Sequence, residues 1–249
     1  MDIHRSVAVA MVGTLAAGSV CAAESHWYIG LSGGSSSSNI SKDQLGELAR
    51  NAFTVAGLNV QTIGTTTDFD DTDTAWALRG GYRISRYVSL EAAYLDLGSV
   101  SAGYAGQVGR VGGTRIPPLP VVLGPGSSTV DIVNSGFSFS GLVSVPFADR
   151  FDVHAHVGLL LSTTEISTSG NATGASVQFS NSVEKSGEAL FYGLGAGVRL
   201  GSRWTLSLDW ERFNDVGIDQ ETLEQSGLGA TQDLEADYEV IRLSLTLNL

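Results

Sequence analysis

The chain has 249 residues, of which 43% are hydrophobic and 16% charged, and its formal net charge is −12. This acidity leaves no basic stripe to meet phosphates, which excludes nucleic acid as a partner. The apolar content and the 31 glycines also argue against a disordered chain.

The first predicted element is a secretory signal peptide over residues 1–23. Arg5 supplies the basic start, and Val7–Ala17 is an apolar stretch too short to span a bilayer as a permanent helix. Small residues follow and permit cleavage after Ala22 or Ala23, of which the second is preferred. Cleavage leaves one predicted domain over residues 24–249.

The single cysteine, Cys21, falls inside this signal peptide. A mature chain without cysteine has no disulfide, no thiolate metal site and no cysteine nucleophile. An alternative makes Cys21 a lipidated residue. The preceding Gly18-Ser19-Val20 disfavours it, because lipoprotein sites usually have Leu three residues before the cysteine and a small residue directly before it.

After the signal peptide, apolar and polar residues alternate with a period of two, which predicts β-strands. In the last predicted strand, five apolar residues from Ile241 to Leu249 alternate with Arg242, Ser244, Thr246 and Asn248. Eight strands of this kind follow one another along the chain: 27–35, 75–84, 88–94, 137–145, 151–162, 190–200, 204–211 and 241–249.

Between the first two strands, Ser41–Gly57 is predicted to be an amphipathic helix. Ser41 and Gln44 have the spacing of a capping box, and Gly57 is a plausible stop. Its apolar face could cover the mouth of a barrel or meet a partner, but packing on the protein's own loops is the favoured interpretation. That face carries Leu45, Leu48, Ala49, Ala52 and Phe53.

The connections between strands alternate between short turns and long polar segments. Short periplasmic turns and long extracellular loops are typical of an outer-membrane barrel. The sequence therefore predicts an all-β fold, a closed antiparallel transmembrane β-barrel of eight strands. An extra hairpin around Val121–Val133 would give ten.

The two faces of these strands differ in size as well as polarity. One face carries bulky apolar residues; the other carries Gly, Ser, Ala and scattered charges. An eight-stranded barrel has room inside only for its own smaller side chains, so the bulky face is expected to meet lipid. The residues expected to face lipid are Trp27, Trp76, Trp204, Leu206, Leu208, Trp210, Leu243, Leu245, Leu247 and Leu249.

The opposite face is predicted to hold a network of charges in the barrel interior. Strand pairing should bring Arg79 opposite Glu91 and Arg242 near Asp209, because a buried unpaired charge costs several kcal/mol. The favoured interpretation is a paired plug; the alternative is a gated pore whose charges exchange partners. The expected network comprises Arg79, Arg83, Glu91, His154, His156, Arg199, Asp209, Glu211 and Arg242.

Three segments resemble the OmpA-like outer-membrane barrel family: Trp27–Leu31, Asp71–Tyr82 and Leu90–Gly98. The resemblance implies a bacterial outer-membrane location, contact with membrane lipid and lipopolysaccharide, and insertion by the barrel-assembly machinery. Members of that family usually end in phenylalanine, whereas this chain ends in Leu249, so weaker recognition by that machinery is expected.

No arrangement of nucleophile, base and acid is visible, so the sequence predicts no enzyme and no catalytic residue. His154 and His156 share a strand face, but nothing supplies a clear third ligand, so neither a metal site nor a cofactor is expected. The predicted function is a structural or surface-interaction role in the envelope, exerted on a surface partner through the loops. The alternative is a narrow channel for ions or small solutes.

Overall fold

The computed structural model describes residues 27–55, 59–111, 120–148, 150–173, 176–218 and 234–249, so the predicted signal peptide lies outside the described residues. None of the helices within these ranges has the length and apolarity needed to cross a membrane. The elements are, in order, β1 (Trp27–Ser38), α1 (Lys42–Val55), β2 (Asn59–Asp70), β3 (Thr72–Arg83), β4 (Val88–Val111), β5 (Pro120–Pro146), β6 (Phe151–Ala172), β7 (Val177–Leu200), β8 (Trp204–Ile218) and β9 (Leu234–Asn248).

Eight of these strands form a closed antiparallel ring in which β1 pairs with both β3 and β9, and β4 pairs with β5. Only Asp71 separates β2 from β3, and β2 pairs with the far half of β4. It therefore lengthens the barrel wall and does not add a ninth strand to the ring. The eight-stranded barrel is thereby confirmed. The hairpin considered around Val121–Val133 is not formed, since β5 is one continuous strand there.

Bulky apolar side chains form a belt around the outside of the ring, and aromatic residues border it at both edges. Trp27 contacts Tyr82 at the periplasmic edge with ring centroids 5.0 Å apart. At the other edge, Trp76 lies 5.7 Å from Tyr94. An apolar belt flanked by aromatic girdles is typical of barrels that span a lipid bilayer. All ten residues expected to face lipid are exposed or half-buried on this outer side.

Four strands continue far beyond the belt on the side opposite the short turns. β4 and β7 have 24 residues each, β5 has 27 and β6 has 22. Spanning a bilayer takes only about 9–11 tilted residues, so roughly half of each strand projects outward. Much of the length expected as long loops is therefore strand. We call this part, together with α1 and β2, the extracellular extension.

The direction of the apolar residues reverses where the belt ends. On β9, Ile241 and Leu243 point outward, whereas Val240 and Tyr238 point inward and are fully buried. Inside the bilayer the outer face meets hydrocarbon, but beyond it the outer face meets water and the interior becomes the apolar core. The extension is therefore built like a water-soluble barrel with its own core.

Helix α1 fills the extracellular end of this core. The predicted capping box is present: the Gln44 amide donates to Ser41 Oγ at 3.2 Å, and the Ser41 amide donates to Gln44 Oε1 at 3.0 Å. The predicted apolar face is buried in the lumen, where Phe53 lies 5.4 Å from Phe179 and 6.4 Å from Tyr104. The helix thus packs on the protein's own segments between the predicted strands, as the favoured interpretation has it, and it does so inside the barrel mouth.

Candidate functional site in the barrel lumen

Seven ionisable side chains from five strands meet in the lumen at the level of the belt. At their centre, Arg79 of β3 lies 3.7 Å from Glu91 of the neighbouring β4 and 3.7 Å from Asp209 of β8. Its second terminal nitrogen lies 3.9 Å from Glu211. Arg79 therefore joins its neighbouring strand to the far wall. We call the group the charge layer: Arg79, Glu91, His154, His156, Asp209, Glu211 and Arg242.

Arg242 and Asp209 are directly opposite in the β8–β9 register, as the sequence predicts. The Arg242 guanidinium, however, leans along the strand and pairs with Glu211. Asp209 instead accepts hydrogen bonds from Ser244 Oγ at 2.6 Å and Ser207 Oγ at 3.2 Å. A long side chain can reach the diagonal neighbour as easily as the facing one, which register alone does not reveal.

His154 is held between two carboxylates. Its Nε2 lies 2.7 Å from Asp209 Oδ1 and its Nδ1 lies 3.3 Å from Asp152 Oδ1. His156 Nε2 approaches Glu211 at 3.4 Å but without hydrogen-bond geometry. Asp152 shares the strand face of His154 but was not included in the expected charge network. Across the described ranges, no three His, Cys, Asp or Glu residues form a group able to hold a metal ion.

Arg83 and Arg199 do not join the charge layer. Both line a cavity of about 210 Å³ at the periplasmic end of the lumen, which we call the vestibule. The guanidinium of Arg83 lies over the Tyr28 ring, 5.4 Å from its centroid, and the Tyr28 hydroxyl donates to Glu91 Oε2 at 3.2 Å. Tyr28, which sequence reasoning missed, links the vestibule to the charge layer.

Apolar side chains close the lumen on the extracellular side of the charge layer. Phe191 stacks on Phe213 with centroids 4.9 Å apart and covers the ring of His156 at 5.9 Å. We call this group the apolar seal, and all its members are buried: Leu95, Leu160, Phe191, Phe213 and Val240.

A small polar cluster lies beyond the apolar seal. Asn134 Nδ2 donates to the Tyr238 hydroxyl at 2.7 Å, and Thr164 donates to Asn134 Oδ1 at 2.5 Å. Burial raises the pKa of Tyr238 above its ordinary value, so this phenol stays neutral. The lumen is therefore filled at successive levels by ion pairs, apolar side chains, this cluster and α1.

The chemistry of the charge layer is that of mutual neutralisation. Ser207 and Ser244 donate their hydroxyl protons to Asp209, and His154 contacts carboxylates rather than a hydroxyl. An activated serine would instead give its proton to a histidine. These contacts fit side chains that hold the wall strands together.

A family model described as the outer membrane protein beta-barrel domain matches residues 6–233. No curated protein sequence matches the chain.

Three solved structures illustrate the structural likeness. Neisserial surface protein A is 8% identical, with 90% of this chain and 97% of that chain covered and a TM-score of 0.45. The N-terminal β-barrel domain of OprF from Pseudomonas aeruginosa is 8% identical, with 90% and 98% covered and a TM-score of 0.41. The outer membrane protease OmpT from Escherichia coli is 9% identical, with 90% and 97% covered and a TM-score of 0.39. Likenesses this remote show the fold alone.

Proposed function

The chain belongs to the outer-membrane β-barrel domain family, and from this premise we propose that it is a non-conducting barrel that presents a rigid surface-interaction platform outside the cell. The family places it in the bacterial outer membrane, in contact with membrane lipid. The platform is the extracellular extension. In this proposal the chain is not an enzyme, and insertion depends on the barrel-assembly machinery.

The filled lumen is the observation that carries the proposal. A channel needs a continuous aqueous path, but Leu160, Phe213 and Val240 are each fully buried directly beyond the charge layer. The same side chains form the core that stiffens the extension. Because close-packed interiors resist deformation, the wall strands can present outward residues in fixed positions.

The outward face of β5, β6 and β7 in the extension is the favoured contact surface. It is rich in hydroxyl and amide groups, and the registers align Thr129, Ser169 and Ser180 across the three strands. This face lies beyond the aromatic girdle on the extracellular side, where the sugars of lipopolysaccharide stand in the outer leaflet. Hydroxyls and amides that both donate and accept hydrogen bonds suit sugar hydroxyls. The proposed partner is therefore lipopolysaccharide.

Conductance in a planar bilayer tests the closed lumen. The full chain, folded in detergent and shown to be compact by heat-dependent gel mobility, is expected to give no steady current. Arg79→Ala should also stay silent, because the apolar seal remains in place. Regular single-channel steps from the unaltered protein would contradict the proposal.

Immobilised lipopolysaccharide tests the platform. Adding two carboxylates in Ser169→Asp with Ser180→Asp should weaken binding, because lipopolysaccharide is anionic. Ser37→Asp, an outward position on β1, adds charge elsewhere on the extension and serves as the control. Equal binding by all three proteins would remove lipopolysaccharide as the partner of this face.

A second candidate function is the narrow channel, favoured by one observation. The vestibule extends from the periplasmic end to the charge layer. In that layer, the buried nitrogens Arg79 Nε and Arg242 Nη1 have no hydrogen-bond partner among the described residues. Such a half-pore would conduct only if α1 and the apolar seal moved. Under this alternative, deleting α1 should produce current that the unaltered protein lacks.

A further inference from the structure

The vestibule differs from the rest of the molecule in its charge. The chain is strongly acidic, yet Arg83, Arg86 and Arg199 converge on this one cavity. None of the three has a carboxylate of the described residues within 4 Å. Guanidinium groups gathered around a cavity without anionic partners favour a bound anion, because the anion offsets their mutual repulsion.

The two carboxylates that also line the vestibule are already engaged. Glu91 lies 3.7 Å from Arg79 and accepts from Tyr28, while Asp152 lies 3.3 Å from His154. They therefore neutralise the charge layer rather than the three arginines of the vestibule. The positive charge of these three arginines stays available to a ligand.

Two further features suit the vestibule to an oxyanion. Arg83 is held over the Tyr28 ring, which fixes the guanidinium before any ligand arrives. The hydroxyl-bearing residues Ser89, Ser144 and Thr205 line the cavity beside the arginines. Arginine forks and hydroxyl donors are the groups that bind phosphate oxygens.

The vestibule opens on the periplasmic side only, since the charge layer and the apolar seal close its inner end. We infer that it is a binding site for a phosphate group presented from the periplasm, with Arg83 and Arg199 as the principal ligands. The phosphate could belong to a soluble phosphate compound or to the headgroup of an inner-leaflet phospholipid. Both sources present phosphate oxygens to the arginines.

Titration calorimetry of the full chain in nonionic detergent with inorganic phosphate tests this site. We expect saturable binding that weakens at least tenfold in Arg83→Ala with Arg199→Ala. Arg203→Ala removes an exposed arginine from a turn at the same end of the barrel but outside the vestibule, and should bind as the unaltered protein does. Heat-dependent gel mobility establishes that each variant is folded.

Short-chain phosphatidylglycerol, titrated into the same detergent solution in place of inorganic phosphate, separates the two sources. Binding of the short-chain lipid that requires Arg83 and Arg199, without binding of inorganic phosphate, would assign the site to a lipid headgroup, whereas binding of inorganic phosphate would assign it to a soluble compound. Failure of both probes to bind would overturn the inference. An equal loss in Arg203→Ala would overturn it as well, because it would indicate a diffuse basic rim rather than a site.

Discussion

At the scale of single residues, Arg79 is the side chain of the charge layer that contacts the most carboxylates. It is buried and contacts Glu91, Asp209 and Glu211. Arg79→Ala leaves three buried carboxylates short of a partner, and removing one member of a buried ion pair costs about 3–5 kcal/mol. We expect a loss of this size in urea unfolding from lipid vesicles, followed by tryptophan fluorescence.

Arg212 provides the matched control for that measurement. It pairs with Asp237 at 2.7 Å and Glu239 at 3.1 Å on the extracellular surface, where solvent screens the interaction. Arg212→Ala should therefore change the free energy of unfolding very little. If both variants lose the same stability, the charge layer has no special role in holding the wall.

Asp73, at the start of β3, predicts a dependence of stability on pH. It accepts the Ser99 hydroxyl at 2.7 Å and the Thr74 amide at 2.6 Å, and these bonds, the hydroxyl's first, hold its pKa below the ordinary value. A carboxyl whose pKa is lower folded than unfolded stabilises the protein at neutral pH, and this contribution disappears as the pH falls below about 4.

The comparison of Asp73→Asn with the unaltered protein isolates this contribution. The variant should be less stable above about pH 5, and the difference should shrink as the pH falls through the folded pKa. A difference that is constant down to the lowest pH would show that charge on Asp73 does not matter.

The sequence predicted which residues share the lumen but not all of their partners. Alternation assigned Arg79, Glu91 and Asp209 to one face, because strand geometry fixes parity. It did not find the Arg242–Glu211 pair, because the reach of a long side chain is set by rotamers that parity does not encode. Arg83 and Arg199 belong to the strand face that points inward. They nevertheless lie at the periplasmic end of the lumen, because they stand one or two residues from a turn.

At the scale of elements, α1 and β2 meet through a glycine. A Cβ atom added at Gly46 would collide with the side chain of Thr66. Alanine favours an isolated helix over glycine by about 1 kcal/mol, but overpacking a buried contact costs about 1–3 kcal/mol. We expect Gly46→Ala to loosen α1, seen as faster amide hydrogen exchange over residues 42–55.

A second substitution checks the cause of that effect. Combining Gly46→Ala with Thr66→Ala removes the collision and should restore slow exchange, with Thr66→Ala alone as the reference. If the double variant exchanges as fast as Gly46→Ala, contact with β2 is not what constrains the helix.

The existence of the strands within the belt followed from alternation, but their length did not. In β6 and β7 beyond the belt, Ser, Thr and Gly occupy both faces, so the contrast that marks a strand is weak. The reversal at Val240 and Ile241 was readable in principle, since two apolar neighbours interrupt the alternation there. To interpret this reversal one must know where the bilayer ends, and the pattern of a single strand does not show that.

At the scale of the whole molecule, the barrel solves two opposite solvation problems along one axis. Within the belt, bulky side chains such as Leu208 and Leu243 point outward and ion pairs fill the interior. In the extension, the apolar core is inside and the polar face is outside. One wall therefore serves as a membrane anchor in its lower half and as a soluble platform in its upper half.

The most direct test of this arrangement uses the four tryptophans, Trp27, Trp76, Trp204 and Trp210. All four lie on the outer side of the belt, two near each edge. In vesicles of lipids brominated along the acyl chains, their fluorescence should be strongly quenched, whereas aqueous acrylamide should have little effect. Tryptophans that escape bromine quenching and remain shielded would mean that the bulky face is turned inward, and would contradict the account.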